Sequence, residues 1–262
     1  MPTTQQEEKI DVLIVTASKG EDSAVKKVFG SGWQRMVPTP QLDLYWDKIT
    51  LNSKRERQFT VGLVRKDMRA EDAESIVTIL LSQLEPSFLA MCGICAGRPG
   101  DTNLCDVIIS DTIFHYDQKS VERWFYFFVK ENWEPSTYPI AKPLRELAGR
   151  IKIGGIKIHV GSIATGGVLQ HDSSVWKTIQ RECIGLDMEA SVIAHINHII
   201  DKRWIVIKGV SCNATSQRDD RFRLLAQRNA ATVLKEFLED VADNLPKIDE
   251  TDGVWFSQND IE

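Results

Sequence analysis

Apolar and polar positions alternate along the chain in two ways, one marking strands covered on both faces and the other marking helices covered on one. Asp11-Val-Leu-Ile-Val-Thr16 is a nearly continuous apolar run of the buried-strand kind, and a helix is predicted over 21–30. Weaker strand patterns fall near 42–47 and 57–65. Over 70–84 the apolar residues Ala73, Ile76, Val77, Ile79, Leu80 and Leu84 recur at helical spacing, and Pro86 ends that helix. Ser87-Phe-Leu-Ala-Met91 reads as the next buried strand and Gly93-Ile-Cys-Ala-Gly97-Arg-Pro-Gly100 as a turn of small residues. Strands follow at 107–114, 156–164 and 204–210, and helices at 140–150, 173–182, 188–200 and 219–243. The segment 118–140 carries Trp124, Phe125, Tyr126, Phe127, Phe128 and Trp133; it fits a flap over a pocket, a subunit contact, or a hairpin or helix packed on the core.

Strands alternating with helices imply an α/β layer structure. In such folds ligands bind outside the carboxyl ends of the strands. Segments 17–21, 92–98, 165–171 and 209–216 are expected to converge there, joined by the helix that begins at Met188.

Composition narrows the function classes. The 262 residues carry a net charge of −5 with no long lysine or arginine run, which argues against a nucleic-acid binder. Residues 1–9 are polar and acidic, unlike a secretory leader, and no apolar run approaches the ~20 residues that span a bilayer, so a cytoplasmic protein without membrane contact is expected. Five cysteines, an odd number, are expected to be reduced thiols. Cys92 and Cys95 have CxxC spacing, yet no second pair completes a zinc site and the motif does not open a helix near the chain start. They read as buried small apolar residues, and no metal or cofactor is expected.

The most telling stretch is Gly185-Leu-Asp-Met-Glu-Ala-Ser191, with Ile205-Val-Ile-Lys-Gly-Val-Ser211 after it. It places the carboxylate of Glu189 at the start of an apolar helix. An ionised carboxylate accepts with two oxygens, so it can hold both vicinal hydroxyls of a ribose. That points to nucleoside or nucleotide chemistry.

Taken in order, the segments resemble the nucleoside phosphorylase and nucleosidase superfamily over residues 10–243, in particular the 5′-methylthioadenosine/S-adenosylhomocysteine nucleosidase group. Gly93-Ile-Cys-Ala-Gly-Arg-Pro-Gly-Asp-Thr-Asn-Leu104, with Asp106-Val-Ile-Ile-Ser-Asp111, looks more like a subset fused to signalling and defence proteins. The resemblance implies a single-domain three-layer sandwich over 10–245, with a central mixed twisted sheet flanked by helices, and flexible termini at 1–9 and 246–262. It also implies a homodimer or larger homo-oligomer that takes a purine nucleoside or nucleotide.

The resemblance assigns roles residue by residue. Glu21, in Ala17-Ser-Lys-Gly-Glu21, would activate the attacking water, while Cys95, Ala96 and Gly97 would lie against base and sugar. Leu169 and Gln170 would meet the base, with Leu169 standing where an aromatic residue is common. Met188 would pack under the sugar and Glu189 would hold its hydroxyls. The blander readings are helix-start acids for Glu21 and Glu189, core packing for Met188 and an ordinary tight turn at 93–97.

One departure stands out. The family places an Asp at the end of the last strand to protonate, or hydrogen-bond, the departing purine. Here the segment is Gly209-Val-Ser-Cys212-Asn213-Ala-Thr215, and the ungapped match puts Cys212 on that Asp. A match slipped by one would put Asn213 there instead. A thiol, with a free pKa of about 8.5, is a weak donor, and losing a general acid costs about 10²–10⁴ in rate. The arginines that phosphorylases set around phosphate have no counterpart; Lys19 and Arg98 are the nearby cations, and hydrolysis is favoured. Three readings result: an N-ribosyl hydrolase, a catalytically impaired nucleoside- or nucleotide-binding sensor, and a redox-responsive protein using Cys92, Cys95 and Cys212.

Overall fold

The computed structural model describes residues 9–36, 45–65, 70–116, 120–124, 128–132, 136–166, 175–179, 182–200, 203–214 and 220–244. Strand β1 (Val12–Thr16) is buried at every position and leads into helix α1 (Lys19–Phe29). Three strands follow, β2 (Gln34–Arg35), β3 (Trp46–Asn52) and β4 (Gln58–Arg65), then α2 (Ala70–Leu84). Next come β5 (Phe88–Gly97) and β6 (Val107–His115), a separate two-stranded sheet of β7 (Ser120–Trp124) and β8 (Phe128–Asn132), and β9 (Thr137–Pro139). The chain continues through α3 (Lys142–Arg150), β10 (Ile158–Thr165), α4 (Val175–Thr178), β11 (Gly185–Asp187), α5 (Ala190–Ile200), β12 (Arg203–Cys212) and α6 (Asp220–Ala242).

The main sheet runs in the order β11-β10-β6-β12-β5-β1-β4-β3-β2, with β9 beside β6. It is mixed: β1 is parallel to β4 and β5, β12 is parallel to β5 but antiparallel to β6. Helices α1 and α6 pack on each other, with α6 also on β5 and β12; α2 and α5 form the other helical layer. This is the expected mixed sheet flanked by helices.

Several boundaries differ from expectation, each for a physical reason. Strand β5 does not stop at Met91 but runs on to Gly97, so the supposed small-residue turn is strand. Its glycines are small because neighbours crowd them: a Cβ at Gly97 would collide with the side chains of Thr102 and Val210. Helix α1 begins two residues earlier than predicted because Ser18 caps it in a capping box with Glu21. Of the helix predicted at 173–182, the described residues show one turn, Val175–Thr178; of the strand predicted near 42–47, 42–44 lie outside the described residues and the described strand is Trp46–Asn52. The aromatic block is, in its described parts, the β7–β8 hairpin. The three-residue strand β11 is too short to show any periodicity. It pairs with both β10 and β5, so β5, β12, β6, β10 and β11 close into a ring.

Most of 1–9 and all of 246–262, expected to be flexible, lie outside the described residues. Among the described residues no helix is long and apolar enough to cross a membrane.

Helix α6 rests directly on the backbone of β12 at one point, where a Cβ on Gly209 would overlap the carbonyl of Ala226. Backbone cannot yield as a flexible side chain does. Gly209→Ala is therefore expected to cost about 3 kcal/mol, the upper part of the overpacking range, read as a lower urea midpoint and a thermal midpoint lower by several degrees.

Candidate active site

The carboxyl ends of β1, β5, β11 and β12 surround a cavity of about 260 Å³, lined by Ala17, Ser18, Glu21, Ile94, Cys95, Ala96, Leu186, Asp187, Met188, Glu189, Ser211, Cys212 and Arg223. Four of the predicted segments thus converge: the first loop, the end of β5, the Asp-Met-Glu stretch and the end of β12.

Glu21 reaches this cavity through its own helix cap. Its Oε2 accepts the backbone N–H groups of Ala17 and Ser18 at 3.0 and 2.9 Å, and its Oε1 accepts that of Ile94 at 3.0 Å. A carboxylate offers about four acceptor sites, so three donors fix the group and, among the described residues, leave one position unused. The helix-cap reading and the cavity reading of Glu21 are both true of the geometry. The side chain is only 5% exposed.

Gly93 owes its missing side chain to close neighbours. A Cβ there would lie 2.7 Å from Glu21 Oε1 and 3.1 Å from Lys208 Nζ. The missing side chain makes room for the Glu21 carboxylate and the Lys208 ammonium beside β5.

Lys208 was given no role by the sequence reading. It stands in an otherwise apolar strand, is 1% exposed, and its Nζ lies 2.7 Å from Asp187 Oδ2 and 4.0 Å from Glu189 Oε2. Burial works against its charge, but Asp187, Glu189 and Glu21 outweigh it and hold the ammonium protonated above the usual lysine range. A lysine amid Ile205-Val-Ile and Gly-Val210 was the available signal, since a buried lysine without a partner is rarely found. Asp187, also without an assigned role, divides its carboxylate: Oδ1 accepts the N–H of Ala190 at 3.0 Å, capping α5, and Oδ2 faces Lys208.

Glu189 stands just before α5 and lines the cavity beside Met188. Burial pushes its carboxyl up to about 7, with Asp187 and Glu21 adding to the rise and Lys208 opposing it.

Cys212 ends β12. Opposite β5 the register slips between Val210, paired with Cys95, and Cys212, paired with Ala96, so Ser211 is an extra, bulged residue. Bulges re-aim side chains next to sites, and this one delivers Cys212 to the cavity. On that side Cys212 packs on a small apolar cluster containing Ala96, Leu186, Phe114 and Trp176.

Of the predicted site residues, Glu21, Cys95, Ala96, Met188, Glu189 and Cys212 share the lining. Gly97 stands outside it, as does Asn213, whose carbonyl accepts Trp176 Nε1 at 3.3 Å. Leu169 and Gln170 lie outside the described residues. Lys19 is exposed on α1 away from the lining, and Arg98 places its guanidinium 5.5 Å from the Trp176 ring centre. Cys95 lines the cavity and Cys92 lies buried on the same strand; both are free thiols pushed well above their usual range by burial.

An α/β fold with a mixed sheet closed at one end, and acids gathered at its strand ends, is the frame of the nucleoside-phosphorylase-like proteins. The sequence pattern of the phosphorylase superfamily matches residues 57–239, and the chain belongs to that family. It is 24% identical over 187 residues to a 5′-methylthioadenosine/S-adenosylhomocysteine nucleosidase of Marinomonas sp. (strain MWYL1), covering 68% of this chain and 80% of that protein. It is 25% identical over 258 residues to the ATP nucleosidase Cap17 of Escherichia coli (strain KTE188), covering 87% of this chain and about half of that protein's length (51%). In structure it is similar to the 5′-methylthioadenosine/S-adenosylhomocysteine nucleosidase of S. pneumoniae solved with a transition-state inhibitor, with a TM-score of 0.73, 22% identity, and coverage of 88% and 99% of the two chains. These likenesses are to nucleosidases, hydrolases of N-glycosyl bonds, rather than to phosphorylases.

A consequence for stability follows from Glu189. Its folded pKa, about 7, lies above the ordinary value of 4.5. Its contribution is therefore fully present below about pH 4.5 and is lost as pH rises toward 7. Glu189→Gln removes that loss. The variant is expected to be more stable than wild type above pH 7, by on the order of 1–3 kcal/mol, with the gap shrinking between pH 7 and 4.5. Urea unfolding at a series of pH values measures it.

Proposed function

We propose that the protein is an N-ribosyl hydrolase that cleaves the glycosidic bond of a purine nucleoside or nucleotide. The observation that carries the reading is the meeting of Glu21 and Glu189, from distant parts of the chain, in one cavity at the strand ends. Family membership and the likeness to nucleosidases support the reaction class.

Glu189 holds the 2′ and 3′ hydroxyls and so fixes the sugar over the floor. Glu21 uses its free acceptor position to orient a water and takes its proton as the water oxygen bonds to C1′. The N-glycosidic bond breaks, and its electron pair leaves with the base. Positive charge that develops on the sugar is offset by the carboxylates beneath it. Lys208 sets the positions of Asp187 and Glu189 through its ion pairs.

The second reading, a binding domain with impaired catalysis, is favoured by Cys212, a half-buried thiol where the family has its acid. Release of adenine, followed by chromatography over a panel from methylthioadenosine to ATP, separates the two. Glu21→Gln is expected to lower kcat by about 10²–10⁴ with the fold intact by circular dichroism. Cys212→Asp is expected to raise kcat, since it restores an acid beside the base. If pure folded protein releases no base from any member of the panel while calorimetry shows binding, the hydrolase reading gives way to the sensor.

A further inference from the structure

We propose that Arg223 recognises a 5′-phosphate, which would make nucleotides rather than bare nucleosides the preferred ligands of the cavity. The proposal rests on the reading of this cavity as a nucleoside site. Three observations carry it. Arg223 lies in the first turn of α6, and among the thirteen described lining residues it alone is exposed, which sets it at the rim. Among the described residues its guanidinium has no carboxylate partner, although the chain is acidic overall. It is also the one cation in that lining, because Lys208 lies behind it, committed to Asp187 and Glu189.

Size and charge then place a phosphate. At about 260 Å³ the cavity falls below the ~300–1,000 Å³ usual for ligand sites. That leaves room for a base and a sugar but not for a phosphate chain, which must leave through the rim. Glu21, Asp187 and Glu189 face one ammonium on the floor, so an anion is repelled there. Among the described lining residues, the cation open to it is Arg223 at the rim. A guanidinium presents a planar fork of donors that matches phosphate oxygens in pairs, and an ammonium does not. The likeness to an ATP nucleosidase is in keeping with such a ligand.

The test compares adenosine, AMP and ATP on wild type, Arg223→Ala and Arg223→Lys, measuring adenine release at low and moderate salt. For Arg223→Ala, kcat/KM is expected to fall about tenfold or more on AMP and ATP, mainly through KM, and to change less than about twofold on adenosine. Arg223→Lys should recover part of the loss. Added salt should weaken nucleotide use in wild type and much less in Arg223→Ala. An equal loss on all three compounds, or none on any, would overturn the assignment. If wild type cleaves nothing, calorimetry with adenosine and ATP applies the same comparison to affinity. Adenosine binding without preference for ATP overturns the role of Arg223 alone, and no binding of either compound overturns the nucleoside reading as well.

Discussion

The site depends on one buried ammonium. Lys208 sits on β12 with almost no exposure, in a place where a lone charge would cost several kcal/mol. It is tolerable because three elements bring carboxylates to it: Asp187 from β11, Glu189 from the entrance to α5, and Glu21 from the first turn of α1. Each acid in turn would be costly to bury alone. The pairings fix where β11 and the start of α5 stand relative to β12, and the absence of a side chain at Gly93 lets Glu21 share the arrangement. One ammonium against three carboxylates leaves two negative charges, or one when Glu189 holds a proton. The raised pKa of Glu189 is the response first to burial and then to that excess.

How much of this could be read from the chain varied with the length of the signal. Continuous apolar runs gave β1, β6 and β12 close to their true bounds, and the helical period gave α2, α5 and α6. Local pattern failed where tertiary neighbours decide the outcome. Gly-Ile-Cys-Ala-Gly at 93–97 has turn composition, yet it is strand, because Thr102, Val210, Glu21 and Lys208 fill the space its side chains lack. Strand β11 has three residues, and only its pairing with β5 and β10 makes it a strand. Glu21 and Glu189 were legible because their motifs have fixed spacing, whereas Asp187 was not singled out. Lys208 was not, because a single polar residue within a strand reads as an interruption until its partners are known. The bulge at Ser211, which aims Cys212, depends on the register against β5 and leaves no mark in the sequence.

Glu21 shows why a structural and a chemical explanation need not compete. Capping α1 requires an acceptor turned back toward Ser18, and a water-activating base requires a carboxylate that does not move. Under the proposed function the same backbone donors meet both needs. They hold both oxygens still and leave one acceptor position for the cavity. The positive end of α1 is thereby occupied by this acid and is not open to a phosphate, which removes one place where an anionic ligand could have been bound.

What remains is a cavity of uneven character. The side that holds Glu21, Asp187 and Glu189 is crowded with ionisable groups in fixed positions, while the side near Cys212 is apolar, with Ala96 and Leu186 over Phe114 and Trp176. Among the described residues, hydrogen-bonding groups are thus concentrated on the first side and scarce on the second; under the proposed function the first meets the ribose and the second the base. A pocket that holds a base mainly by apolar contact discriminates weakly between bases, since one group more or less is worth only about 1–3 kcal/mol, whereas unpaired buried acids strongly reject a sugar lacking its hydroxyls. Under the proposed function, selection by such a site therefore falls on the ribose. The negative floor adds to the same end, because it favours the cationic sugar of the transition state more than the neutral sugar of the bound ligand. On that proposed function, assistance at the sugar is available whether or not Cys212 gives a proton, so a missing acid would slow the departure of the base without removing the other half of the arrangement.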